Sequence, residues 1–168
     1  MVERGQNIFQ IVGYHNSGKT TWIEYLLQYA ALHGTVVGTI KHHGHGGLPV
    51  IGDEGKDTEK FRKNGAFAVA VEGEGTAVLS IQSQCTLDDL LKLYRLQPLD
   101  LILIEGYKHA AFPKAVIITQ EKDKPLLELE NVQAVITPFP DQFKQHPAFH
   151  TTDKKSFAEW LWNYFSLT

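Results

Sequence analysis

The feature that most constrains this chain is Gly13-Tyr14-His15-Asn16-Ser17-Gly18-Lys19-Thr20, which fills the pattern G-x-x-x-x-G-K-T between two readable elements. Ile8 to Val12 before it is an apolar run of strand length, and Thr21 to Leu27 after it has helical spacing. In that context the glycines let successive backbone N–H groups converge on phosphate oxygens, and the helix N-terminus adds its positive dipole end. Lys19 is placed to reach the terminal phosphates of a nucleotide, and the Thr20 hydroxyl to ligate magnesium. A plain glycine turn between strand and helix would need no Lys-Thr directly after its second glycine.

Composition narrows the rest. A chain of 168 residues, 43% hydrophobic, is long enough for one well-buried core, and residues 1–168 read as a single nucleotide-binding domain. A net charge of −3 gives no basic field for a nucleic-acid backbone, so no nucleic-acid partner is expected. Cys85, the single cysteine, excludes an internal disulfide and any C-x-x-C site. No signal-peptide layout and no apolar run of about 20 residues is present, so the expectation is a cytoplasmic protein without a membrane partner.

Thr35 to Lys41 follows Gly34 as a second strand, closing a βαβ unit, and the glycine-rich stretch from His42 to Gly55 reads as a surface loop. A short helix over Asp57 to Asn64 precedes two strands, Ala66 to Val71 and Thr76 to Ile81, joined at Glu72-Gly73-Glu74-Gly75 as a hairpin. Thr86 is the N-cap candidate of a helix reaching Tyr94, and Leu99 to Glu105 is a continuous apolar strand of the kind buried on both faces. Strands near Ala115 to Ile118 and Val132 to Thr137 lead to a last helix from about Lys154 to Phe165. The alternation argues a three-layer α/β fold of the P-loop nucleotidase kind, with a mostly parallel sheet, an added β-hairpin, and ligand at the carboxyl ends of the strands.

The strand Asp100 to Glu105 delivers a carboxylate and then Gly106 at its carboxyl end, where a phosphate-loop protein needs an acid near magnesium and a backbone N–H near the γ-phosphate. Glu105 is therefore the candidate metal-side and catalytic acid. A solvated carboxylate at a strand end would look the same. Asp100 lies at the strand's other end and is not a candidate. Lys41 ends the second strand on the same rim and begins Lys41-His42-His43-Gly44-His45, which suits a phosphate- or substrate-facing basic loop, or a transition-metal site. Asp57 is the second catalytic candidate, as an acid able to polarise water or help hold magnesium, with Asp53 the other acid and Arg62 a possible anion contact; ordinary charges on a surface helix explain them almost as well. The candidate nucleotide-binding set is Gly13, His15, Asn16, Ser17, Gly18, Lys19, Thr20, Thr21, Lys41 and Gly106, with Thr20 and Glu105 on the metal.

Taken in order, four blocks resemble the molybdopterin-guanine dinucleotide biosynthesis protein B family: Gly13 to Thr21; Lys41 to His45; Gly55-Lys56-Asp57-Thr58 with Arg62 and Gly65-Ala66; and Ile104-Glu105-Gly106-Tyr107-Lys108. The resemblance implies GTP and Mg2+ as cofactors, weak GTP hydrolysis and a homodimer. It also implies an adaptor role beside the guanylyltransferase that attaches GMP to the molybdopterin cofactor. A small-molecule kinase on the same loop, or a GTPase that delivers a metal through His42, His43 and His45, is the alternative.

Base choice has no clear signal. Thr119 to Asp123 has the wrong spacing for a guanine-reading Asn/Thr-Lys-x-Asp run and reads as a charged turn, while Thr137-Pro138-Phe139-Pro140-Asp141 can border a base, with Phe139 stacking and Asp141 accepting. On the last helix Phe157, Trp160, Leu161, Tyr164 and Phe165 share a core face, and Trp162, off that stripe, is a candidate partner contact if it is exposed.

Overall fold

A computed structural model describes residues 6–44, 47 and 49–167 of the chain. Contacts divide it into two compact units, one formed by residues 1–42 and 92–168 and the other by residues 43–91.

The first unit is built on six strands: β1 (Asn7–Val12), β2 (Val37–Lys41), β5 (Leu101–Glu105), β6 (Lys114–Ile117), β7 (Val132–Thr137) and β8 (Ala148–His150). All pair in parallel in the order β2-β5-β1-β6-β7-β8. Alternation along β1 sorts its side chains between two faces. Phe9 and Ile11 join a core with Trp22, Ile23 and Leu26 of α1 (Lys19–Leu32) and Phe157 and Leu161 of α4 (Lys154–Tyr164). Val12 joins Val116, Ile118, Val135 and Leu126 on the other face, where Leu126 comes from a 3-10 helix over Glu121–Glu128. The expected three-layer α/β architecture with a mostly parallel sheet and an added hairpin is what the chain adopts. Leu101, Ile102, Leu103 and Ile104 are all fully buried, as a strand flanked by β1 and β2 and covered on both faces requires.

Two expectations change in this unit. Trp162 is buried, and its indole N–H donates to the Thr35 hydroxyl at 3.1 Å, so it is a core residue and not an exposed contact. The aromatic stripe is wide enough to wrap past the face that spacing assigned to it, and Tyr164 is the member left exposed. Thr119 to Asp123 is not merely a charged turn. Asp123 is buried, and its Oδ2 accepts from the Thr119 N–H, the Thr119 hydroxyl and the Gln120 N–H at 3.0 to 3.2 Å, capping the 3-10 helix. The short strand β8 and this 3-10 helix carry too little periodicity to be read in advance.

The second unit contains α2 (Asp57–Lys63), the antiparallel hairpin β3 (Ala68–Gly73) and β4 (Thr76–Ile81), and the start of α3 (Leu87–Tyr94). Thr86 caps α3 as expected, its hydroxyl accepting from the Asp89 N–H at 3.2 Å. An ion pair joins Arg62 to Asp53, and a cavity of about 360 Å³ is lined by Ile51, Val69, Val71 and Val78 together with the polar groups of Asp53 and Lys56. Among the described residues no helix is long and apolar enough to cross a membrane.

Candidate functional site

The candidate site is in the first unit, at the carboxyl ends of three neighbouring strands. β1 runs into the loop of Gly13 to Gly18, and α1 begins at Lys19. Asn16 (φ 58°) and Gly18 (φ 88°) are both left-handed, which turns the loop over on itself. A Cβ on Gly13 would stand 2.3 Å from the Ser17 hydroxyl oxygen, so glycine there lets the loop close. Ser17 Oγ is buried inside that curl with no hydrogen-bond partner. An orphaned hydroxyl in a curl of backbone, beside a helix N-terminus, fits an oxyanion.

Lys19 folds back so that its Nζ donates to the Tyr14 carbonyl at 2.8 Å. Burial lowers its pKa below the ordinary lysine value; the Glu105 carboxylate opposes that shift, and the Lys41 ammonium adds to it. The two lysines therefore face one another across a single acid.

That acid sits on β5, whose pairing with β1 sets Glu105 opposite Ile11 and whose pairing with β2 sets it opposite Lys41. Its side chain is only 12% exposed. Glu105 Oε2 accepts from the Thr20 hydroxyl at 3.1 Å, and Oε1 pairs with Lys41 Nζ at 3.2 Å. One carboxylate thus joins the first turn of α1 to the end of β2. Hydroxyl and carboxylate oxygens at hydrogen-bond distance form the hard-oxygen pair that magnesium prefers, so the donor chemistry fits that ion. Asp100, at the other end of β5, accepts from the Val36 N–H at 2.8 Å and is structural.

The structure brings Gly13 to Thr20, Lys41, Glu105 and Gly106 together, with Thr21 continuing α1. His15 and Asn16 are exposed on the loop. Asp57 belongs to the second unit, where it opens α2 and its carboxylate pairs with Lys60 at 2.8 Å. Of the histidine run, His42 stacks at an angle on Tyr107, ring centroids 4.7 Å apart; His43 begins the second unit, and His45 lies outside the described residues. Among the described residues no group of three or more His, Cys, Asp or Glu could hold a metal ion. In the loop after β7, Phe139 is 56% exposed and the Thr137 hydroxyl accepts its N–H at 3.2 Å.

Sequence reasoning missed Gln10. It is fully buried on β1, and its Nε2 donates to the carbonyls of Gly106 and Tyr107 at 3.0 and 2.9 Å, while Oε1 has no partner. Leaving a buried acceptor unpaired costs about 1–3 kcal/mol, so the retained contact is the hold on the turn after Glu105. The only available signal was a polar residue inside the otherwise apolar run Ile8 to Val12.

The profile of the family described as molybdopterin guanine dinucleotide synthesis protein B matches residues 8–138. The chain is 42% identical to the probable molybdopterin-guanine dinucleotide biosynthesis adapter protein of Bacillus subtilis over 149 residues, 87% of this chain and 86% of that protein. Among solved structures it resembles the MobB protein homolog from Bacillus stearothermophilus, with a TM-score of 0.78 at 37% identity over 97% of this chain and all of that one. The crystal structure of Bacillus subtilis MobB gives a TM-score of 0.79 at 37% identity over 94% of this chain and 96% of that one. With the phosphate loop, the acid of β5 and these likenesses in place, the chain belongs to the molybdopterin guanine dinucleotide synthesis protein B family.

Proposed function

We propose that this protein is a GTP-binding adaptor in the assembly of molybdopterin guanine dinucleotide, working as a cytoplasmic homodimer beside the guanylyltransferase and the molybdopterin cofactor. The observation behind this reading is the Thr20–Glu105–Lys41 cluster set against the loop of Gly13 to Gly18. The loop amides and Lys19 hold the phosphates; Thr20 and Glu105 hold Mg2+, which when bound neutralises phosphate charge. Lys41 and Lys19 supply two positive charges against the single negative charge of Glu105, an excess that a polyphosphate satisfies.

Hydrolysis is slow in this account. Fast phosphoryl transfer to water needs a group that orients the nucleophile and an additional cation for the transition state. Arg4, Arg62 and Arg95 are the chain's arginines, and Arg62 is engaged by Asp53.

The test is dinucleotide formation by a guanylyltransferase at limiting MgGTP, with and without this protein. The reading expects stimulation by the wild type and none by Lys19→Ala. Equal rates with and without the wild-type protein would contradict it.

A further inference from the structure

We infer that the backbone N–H groups of Tyr107 and Lys108 form the donor pair that distinguishes a nucleoside triphosphate from a diphosphate, and that Gln10 is the positioning residue that aims them. The inference rests on the nucleotide-binding reading above and names the part of the site that senses the terminal phosphate.

Sequence alone assigned that donor to the N–H of Gly106. In the structure the Gly106 N–H donates to the Ile11 carbonyl at 3.2 Å, extending the β1–β5 ladder by one residue. The chain then enters two consecutive left-handed residues, Gly106 (φ 88°) and Tyr107 (φ 48°). Both of their carbonyls point at the buried Nε2 of Gln10. In a trans peptide the N–H lies antiparallel to the preceding C=O, and no peptide here is cis. The N–H groups of Tyr107 and Lys108 therefore point away from Gln10. Among the described residues neither donates to a backbone carbonyl.

The turn directly follows Glu105, which holds Thr20, and the Lys108 ammonium lies 5.5 Å over the ring of Tyr14 in the phosphate loop. Two adjacent amides at the phosphate-loop rim, next to the metal-side acid, match an oxyanion. Tyr107 holds a left-handed conformation that a residue with a Cβ disfavours, and its ring lies against His42. The buried Gln10 amide holds both carbonyls, and that of Tyr107 also accepts from the Ala110 N–H at 2.8 Å. Gln10 touches no ligand; it acts through the turn.

The test is isothermal titration of wild type and Gln10→Leu with magnesium and either GDP or the β,γ-imido analogue of GTP. Amide spectra of the 15N-labelled wild-type protein accompany it. Gln10→Leu is expected to lower the preference for triphosphate over diphosphate by about tenfold, with GDP affinity within about twofold of wild type. In the spectra the Tyr107 and Lys108 amides shift with the triphosphate analogue and stay in place with GDP, a readout that holds even if Gln10→Leu fails to fold. An unchanged preference in Gln10→Leu, equal weakening of both nucleotides, or still amides at 107 and 108 while those of Gly13 to Thr20 shift would overturn the inference alone. Amides still at every one of these positions with either nucleotide would defeat the nucleotide-binding reading itself.

Discussion

Thr20 Oγ1 donates to Glu105 Oε2 across 3.1 Å, tying the first turn of α1 to the carboxyl end of β5. The two residues are 85 apart in sequence and meet because β5 pairs directly with β1 in parallel. The Glu105→Gln variant keeps the shape of this contact and removes the charge. It is expected to bind nucleotide within about tenfold of wild type while losing most of the gain in affinity that magnesium gives and nearly all turnover. Titrations with magnesium and with EDTA check this; full magnesium dependence in Glu105→Gln would make the acid structural.

Lys19→Ala removes the ammonium that folds over the phosphate loop. Loss of a close charge partner of a partly desolvated anion costs about 2–5 kcal/mol, so triphosphate affinity should fall at least thirtyfold. The protein should remain folded, because the lysine's protein hydrogen bond is to the carbonyl of its own loop, and thermal melts of the variant provide that control.

The same lysine sets a pH dependence. Its pKa in the folded protein lies below the ordinary value because of burial, opposed by Glu105 and reinforced by Lys41. Between that lowered value and the ordinary one the unfolded chain binds more protons than the folded one. The stability penalty is thus full below the lowered pKa and relieved as pH rises through this window. A bound polyphosphate restores the charge, so binding takes up a proton in alkaline solution and affinity declines as pH climbs. Calorimetry in buffers of different ionisation enthalpy measures the uptake; a pH-independent affinity in wild type, or the same decline in Lys19→Ala, would exclude this origin.

Glycine substitutions separate crowding from backbone strain. Gly13→Ala would drive a Cβ to 2.3 Å from Ser17 Oγ, whereas Gly18→Ala meets open space at φ 88°. Gly18→Ala is expected to cost about 1–2 kcal/mol of stability, and Gly13→Ala to weaken phosphate binding by turning the Ser17 hydroxyl aside. Denaturant melts and nucleotide titration of the pair separate the two effects.

Lys114 is fully buried at the start of β6, where its ammonium donates to the carbonyls of Ala110 and Glu130 and its pKa is lowered by burial. Lys114→Met leaves both carbonyls without that partner and should destabilise the fold by about 1–3 kcal/mol. Chemical denaturation reads this directly, and a variant as stable as wild type would show that desolvation of the ammonium offsets its hydrogen bonds.

Much of this was legible in the chain itself. The phosphate loop announces its own strand and helix, and the acid of β5 is visible because an apolar run ends in Glu105-Gly106. Partnership was harder to read than position. That Lys41 and Thr20 share one carboxylate depends on β5 lying between β2 and β1, an order set by packing and not by local pattern. Gln10 was invisible because a buried amide inside a strand has the same periodic signature as any polar interruption. The burial of Trp162 was not legible because Phe157, Trp160, Trp162 and Tyr164 spread around α4 and leave no single apolar face for spacing to select.

The measurement closest to the central claim is an equilibrium titration of the protein with GTP and with ATP in magnesium, repeated on Lys19→Ala. Saturable binding of GTP in preference to ATP, lost in Lys19→Ala, is the expected result. Absence of saturable GTP binding, or equal affinity in Lys19→Ala, would contradict it.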